Sequence, residues 1–132
     1  MTIEIGQVEA IFRYPVKSMA GERVEVAYLG WHGIDGDRRL ALRRTQERTD
    51  FPWLSASKLP DLLLFTPLRR DDGVQRELPT HVRTPDGDEM AVFGDELAAE
   101  IERRHGAPVQ MMHLRSGIFD EASVSVIATD TV

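Results

Sequence analysis

The chain has 132 residues, the length of one domain with a single core of ordinary size. Hydrophobic residues make up 42% and charged residues 29% of it, as in folded globular proteins, and the net charge of -6 argues against non-specific binding to nucleic acid. The absence of cysteine excludes disulfides, thiolate catalysis and cysteine metal ligands within this chain.

Hydropathy and the N-terminus bear on the cellular location. No run approaches the roughly 18 apolar residues needed to cross a bilayer, and residues 1–5 lack the basic-then-apolar pattern of a secretory signal. The sequence therefore predicts a cytoplasmic protein that binds no membrane.

Short alternating strands are predicted in the first third of the chain. The apolar residues of the segment 8–14 share one parity, and so do those of the segment 24–28, which predicts two half-buried strands. After a loop punctuated by glycines, Leu40 to Leu42 predict a third strand. Residues 43–50 are almost entirely polar and predict a hairpin tip.

The rest of the chain is predicted to add strands and one helix. The apolar run 62–65 favours a strand buried on both faces, and the polar residues 69–80 favour a mobile loop. Strands at 82–84 and 90–93 flank the turn Pro85-Asp86-Gly87. A helix is predicted from Asp95, with Asp95 as its cap, to about residue 105, and strands at 109–114 and 124–128 close the chain. The predicted fold class is mainly β (α+β), an antiparallel β-barrel-like domain with one main helix near residues 95–105.

Two segments carry the best candidates for a binding site. Lys17 and Ser18 follow the first predicted strand, and Arg38 begins the third, after a glycine turn in which Asp37 is predicted to brace the arginine. A lysine point charge, an arginine fork and a hydroxyl could together hold an anion. The alternative is that both cations are ordinary solvated surface residues. The four histidines show no metal-ligand spacing, so no metal site is predicted.

The motif Y-P-V-K-S at 14–18, followed by G-x-x-G-D-R at 33–38, resembles the opening of the MOSC family, named after the molybdenum cofactor sulfurase C-terminal domain. It is similar in particular to the N-terminal β-barrel portion of the mitochondrial amidoxime-reducing component and its bacterial relatives. The segments 55–62 and 119–129 match more loosely, and the second resembles the entry to the MOSC core. The resemblance therefore implies one MOSC N-terminal domain over residues 1–132, with the core starting at about 119–132.

The resemblance also implies a function. In this family the residues matching Lys17, Ser18 and Arg38 contact the molybdopterin of the molybdenum cofactor, and Thr129 matches a serine near it. The complete protein would be an oxidoreductase acting on N-hydroxylated compounds, or a sulfur carrier. Relatives hold molybdenum through a downstream cysteine, which this chain lacks, and Ser57 stands where they usually carry arginine. The 132-residue chain alone is therefore expected to be inactive. Its expected partners are a C-terminal MOSC half or an electron-transfer protein.

Two alternatives remain open. The chain could be a non-catalytic module that has lost the cofactor and binds a small anion, or a protein through the apolar residues 51–54. It could also be a fragment whose barrel is complete only with downstream residues, in which case its exposed strand edges would pair with one another.

Overall fold

The structure is a computed structural model that describes residues 2–70, 78–115 and 122–129. Its regular elements are short strands, a 3₁₀ helix (Pro60–Leu64) and one α-helix, α1 (Asp95–His105). The strands in chain order are β1 (Ile11–Arg13), β2 (Glu22–Val24), β3 (Leu29–Gly30), β4 (Gly33–Ile34), β5 (Leu40–Arg44), β6 (Thr66–Leu68), β7 (His81–Arg83), β8 (Glu89–Ala91) and β9 (Val109–His113).

The longest pairing joins β5 to β9, two segments far apart in the chain. The two strands are antiparallel, with Leu40 opposite His113 and Arg44 opposite Val109. Three successive residues of β5, Leu40 to Leu42, are buried. Successive side chains of a strand point to opposite faces, so both faces of β5 are covered here. The third predicted strand is therefore confirmed, and it lies at the centre of the core.

The helix α1 covers this core, packing against β8 and β9. Its buried residues are Leu97 and Ile101, four positions apart on one face. Gly106 ends the helix with a left-handed backbone, as predicted, and its N–H donates to the carbonyl of Glu102. The predicted cap by Asp95 is wrong, because Gly94 occupies the cap position and Asp95 is the first helical residue.

The remaining strands form small antiparallel sheets. β1 pairs with β2, β3 pairs with β4, and β6, β7 and β8 form a three-stranded sheet. The predicted hairpin around residues 85–87 is confirmed, with Gly87 at a φ of 96° in its turn. The fold is mainly β with one helix, as predicted, although these pairings do not close into a barrel within the described residues.

The predicted buried face of the first strand is wrong. Val8 is 80% exposed and Phe12 52% exposed, so the apolar parity faces solvent while Ile11 and Arg13 are half-buried. Arg13 turns inwards because its guanidinium bonds to the carboxylate of Glu22 and to the carbonyl of Asp35. In the second strand Val24 is half-buried and Arg23 is exposed, as predicted, but the strand ends at Val24. Val26 and Tyr28, which were predicted to extend its buried face, are exposed.

The apolar run 62–65 is not a strand. Residues Pro60–Leu64 form a 3₁₀ helix, with proline at its start. Leu62 and Phe65 are fully buried, whereas Leu63 and Leu64 are 57% and 63% exposed. The spacing of three between the buried residues fits three residues per turn, and Pro60 favours the helical start.

Two further predictions concern the loop and the last strand. Of the predicted mobile loop 69–80, residues 71–77 lie outside the described residues. The strand predicted at 124–128 does not form within the described range 122–129, where Val126 is 95% exposed. No helix in the described ranges is both long and apolar enough to span a bilayer.

One hydrophobic core joins these elements. Its buried members come from β5, β7, β9, α1, the 3₁₀ helix and several connecting segments, including the one after β1; they are Val16, Met19, Leu40, Leu42, Leu54, Leu59, Leu62, Phe65, Val82, Val92, Leu97, Ile101, Val109 and Met111. Val16 and Met19 flank Lys17 and Ser18, so the segment that carries these two site candidates is anchored in the core.

Candidate functional site

The backbone places the two candidate segments side by side. The N–H of Arg38 donates to the carbonyl of Tyr14, and the N–H of Leu40 donates to the carbonyl of Pro15 at 3.0 Å. Lys17 donates its own N–H to the carbonyl of Leu40 at 2.9 Å, and Val16 and Leu40 form a parallel bridge. These bonds lay the Lys17 segment beside the Arg38 segment.

Two of the candidate residues have an unusual backbone conformation. Among the described residues, Ser18 at a φ of 68° and Arg38 at a φ of 46° are the non-glycine residues with positive φ. A side chain in this left-handed region costs of order 1–3 kcal/mol, and such residues concentrate at ligand sites. The hydrogen bonds of Arg38 to Tyr14 and of Lys17 to Leu40 hold the chain on either side of these positions.

Asp37 is a buried carboxylate that ties the two segments together. Its side chain is 4% exposed, its Oδ1 accepts the N–H of Tyr14 at 2.6 Å, and its Oδ2 lies 3.3 Å from Nε of Arg38. Burial raises the pKa of Asp37 from its usual 3.8, while the Tyr14 N–H and Arg38 act in the opposite direction. These contacts agree with the predicted brace for Arg38.

Each candidate cation lies against an aromatic ring. Cζ of Arg38 is 5.9 Å from the ring centre of Tyr14, and Nζ of Lys17 is 5.8 Å from that of Phe51. Lys17 is 5% exposed, whereas the side chain of Arg38 is 25% exposed. Lys17 is therefore a buried cation, and Arg38 lies nearer to solvent.

The absence of a side chain at Gly21 leaves space for the Tyr14 ring. A Cβ on Gly21 would lie 2.5 Å from Cε1 and 2.8 Å from Cδ1 of that ring. Because real Cβ atoms do not approach this closely, only glycine lets the ring occupy this position. Gly21 and Asp37 thus both determine where Arg38 is held.

Thr129 is exposed and lies in the segment 122–129, outside the strands that position the other candidates. Its place in the site remains a prediction. Ser57, which stands where arginine was expected, is exposed and shares a hydrogen bond of 2.7 Å with the hydroxyl of Ser55. The apolar segment 51–54 is divided, because Leu54 belongs to the core while Phe51 is 45% exposed.

A shallow depression of about 380 Å³ lies elsewhere, between β8 and the start of α1. It contains none of the predicted site residues, and its carboxylate Glu89 is already paired with Arg70 and Arg83. The described residues also hold no group of three or more His, Asp or Glu that could bind a metal ion.

The contacts of Lys17 with Phe51 and of Arg38 with Tyr14 were not predicted from the sequence. Tyr14 is recognisable in retrospect, because it comes directly before the proline of the motif. Phe51 follows a long polar loop, and no local pattern links it to Lys17, 34 positions away in the chain.

The comparisons with known proteins address the family. Residues 5–125 match the family model described as the MOSC N-terminal beta barrel domain, which covers most of the 132 residues. No curated protein and no solved structure gives a significant match to the chain.

Proposed function

Because this chain belongs to the MOSC family, as an N-terminal β-barrel domain, we propose that it binds the phosphate and pterin of a molybdenum cofactor through Lys17, Ser18 and Arg38. The observation that carries the proposal is the parallel pairing that lays the Lys17 segment beside Arg38. The left-handed backbone of Ser18 and of Arg38 supports it, since such conformations concentrate at ligand sites.

The three side chains suit the chemistry of a phosphate. An ammonium and a guanidinium supply opposite charge and several donors, and the Ser18 hydroxyl can add a further hydrogen bond. Lys17 is nearly buried, where a charge interaction is less screened by solvent than at the surface. Asp37 and Tyr14 fix the orientation of Arg38 before the ligand arrives.

The residues of this chain suit the organic part of the cofactor better than its metal. There is no cysteine in the sequence, and the described residues offer no cluster of metal ligands. When bound, the cofactor supplies the metal-centred redox or sulfur-transfer chemistry. The proposed role of this domain is to bind and orient the cofactor, with Thr129 as a further contact. Reduction of N-hydroxylated compounds or sulfur transfer would then need a C-terminal MOSC half, and reduction would also need an electron-transfer partner.

A second candidate function is a protein-binding module without cofactor. The observation that favours it is the β3–β4 hairpin, whose Trp31 is 101% exposed beside Leu29 at 73% and Tyr28 at 78%. Exposed aromatic clusters are enriched at protein interfaces. Under this alternative the backbone pairing of the Lys17 segment with the Arg38 segment would only stabilise the fold.

The test is the cofactor content of the protein purified from a host that makes the molybdenum cofactor. We expect pterin fluorescence after oxidation, and molybdenum by elemental analysis, in the wild-type protein and in an Arg103→Ala control, which removes an exposed helix cation. A Lys17→Ala/Arg38→Ala variant should lose at least nine-tenths of both. Pterin content unchanged in this variant would contradict the proposal and favour the second candidate.

A further inference from the structure

The ring of Phe51 lies beside the buried ammonium of Lys17 yet remains 45% exposed. The adjoining Pro52 and Trp53 are only partly exposed and Leu54 is fully buried, so the side chain of Phe51 is the open part of this apolar segment. The Phe51 ring is therefore a partly exposed aromatic surface next to the Lys17 ammonium.

The loop that carries Phe51 is held in place by Arg44. Nη2 of Arg44 donates to the carbonyl of Phe51 at 2.9 Å, and the N–H of Arg44 donates to the carbonyl of Pro52 at 2.7 Å. Its Nη1 donates to Oε2 of Glu47 at 2.9 Å. Arg44 thus joins both parts of the loop 45–52 to the end of β5, through its guanidinium at Glu47 and Phe51 and through its backbone N–H at Pro52.

Glu47 also stabilises the backbone of this loop. Its Oε1 accepts the N–H groups of Arg48 and Thr49, both at 3.1 Å. Hydrogen bonds from Thr49 are the main reason that the pKa of Glu47 is lowered from its usual 4.5. The loop therefore has a defined backbone, and the position of Phe51 is set before any ligand binds.

We propose that Phe51 is a stacking wall for the Lys17 site, so that the site selects phosphates that carry a planar ring, and that Arg44 is the positioning residue for Phe51. The inference rests on the proposed function, since it takes Lys17 as the anion contact. A fixed aromatic face beside an anion site favours a flat ring next to the phosphate over a puckered ring of the same size. Neither Phe51 nor Arg44 belongs to the sequence motifs that identified the site.

The test compares two ligands of equal charge and similar size, phenyl phosphate and cyclohexyl phosphate, with inorganic phosphate as reference. Affinities of the 132-residue chain would be measured by calorimetry. We expect wild type to prefer phenyl over cyclohexyl phosphate by roughly 3- to 10-fold, the range of aromatic pair interactions. Equal affinities for the two ligands would overturn the inference.

The variants test the two residues separately. Phe51→Leu should reduce the preference to about 1, while Phe51→Trp should retain it, because only the second keeps an aromatic face. Arg44→Lys keeps the charge but loses the fork that holds Glu47 and Phe51, so it should also reduce the preference. The preference is a ratio, which cancels any general change in phosphate affinity or in the fraction folded. A preference that survives in Phe51→Leu would overturn the role of Phe51, and one that survives in Arg44→Lys would overturn the role of Arg44.

Failure of this inference is distinguishable from failure of the proposed function. If Lys17→Ala weakens inorganic phosphate but wild type shows no preference for the planar ring, only the stacking wall is wrong. If Lys17→Ala leaves the affinity for inorganic phosphate unchanged, the proposed function and this inference are both wrong.

Discussion

The buried carboxylate of Asp37 offers a sharp test of how the site is held together. In Asp37→Ala the N–H of Tyr14 loses its acceptor at 2.6 Å, and Arg38 loses a carboxylate 3.3 Å from its Nε. A lost hydrogen bond to a charged group costs about 1.5–3 kcal/mol, and an unsatisfied buried donor about 1–3 kcal/mol. Because both estimates describe the same N–H, they are not added, and we expect the free energy of unfolding to fall by about 1.5–3 kcal/mol.

Asp37→Asn is the matched control, because its amide oxygen can still accept the Tyr14 N–H. Only the ion pair with Arg38 is lost, and the cost of burying a charge is lost with it. We therefore expect less than about 1 kcal/mol of destabilisation for this variant. Urea unfolding at pH 7, followed by circular dichroism, measures both. Equal losses in the alanine and asparagine variants would refute the reasoning that acceptance of the Tyr14 N–H is the main contribution.

The sign of the pH dependence follows from the raised pKa of Asp37. The folded state holds its proton at pH values where the unfolded chain has released it. The resulting stabilisation is complete below the unfolded value of 3.8 and is lost as the pH rises through the raised folded value. The free energy of unfolding of wild type, relative to Asp37→Asn, should therefore decrease as the pH rises from about 3 to 7. If this relative free energy of unfolding increased with pH instead, the ion pair with Arg38 would stabilise the charged carboxylate by more than its burial destabilises it.

Two further pairs of variants test the local geometry. Gly21→Ala places a methyl group 2.5 Å from the Tyr14 ring and should cost about 1–3 kcal/mol of unfolding free energy, whereas Gly6→Ala, with nothing within 4 Å, should change it by less than about 0.5 kcal/mol. Leu62→Ala should cost about 2–4 kcal/mol and Leu63→Ala less than about 0.5 kcal/mol, because the first side chain is fully buried and the second is 57% exposed. Equal losses in either pair, measured by urea unfolding, would contradict the geometry described.

Local sequence signals were sufficient for elements whose structure depends on residues close together in the chain. The helix α1 follows from its apolar spacing and from Gly106, and the β7–β8 hairpin follows from its turn residues. The central strand β5 follows from three successive apolar residues. In each case the deciding signal, whether side-chain spacing or a glycine that adopts positive φ, lies within a few residues of the element.

Local signals failed where contacts with residues distant in the chain determine the structure. Alternation in residues 8–14 predicted the wrong buried face, because Arg13 turns inwards towards Glu22 and Asp35. The apolar run 62–65 suits a strand or a helix equally by hydrophobicity, and Pro60 with the threefold spacing decided for the 3₁₀ helix. The strand predicted at 124–128 finds no pairing within the described residues.

The candidate site shows the same limit. The motifs named Lys17, Ser18 and Arg38, but no spacing in the sequence indicates that the Lys17 segment and the Arg38 segment run parallel. The burial of Asp37 could be guessed only from its position beside Arg38. The place of Phe51 depends on the anchoring of its loop by Arg44, a contact between residues seven apart that has no recognisable pattern.

The most direct measurement of the central claim is a double-mutant cycle with Lys17→Ala and Arg38→Ala, using the affinity for inorganic phosphate as the readout. Residues that contact one anion share a coupling energy, which we expect to be about 0.5–3 kcal/mol. Each single variant should also weaken binding roughly 10-fold or more, the effect of one charge-assisted hydrogen bond. Effects that add to within about 0.3 kcal/mol, or a single variant that binds phosphate as wild type does, would contradict a shared anion site.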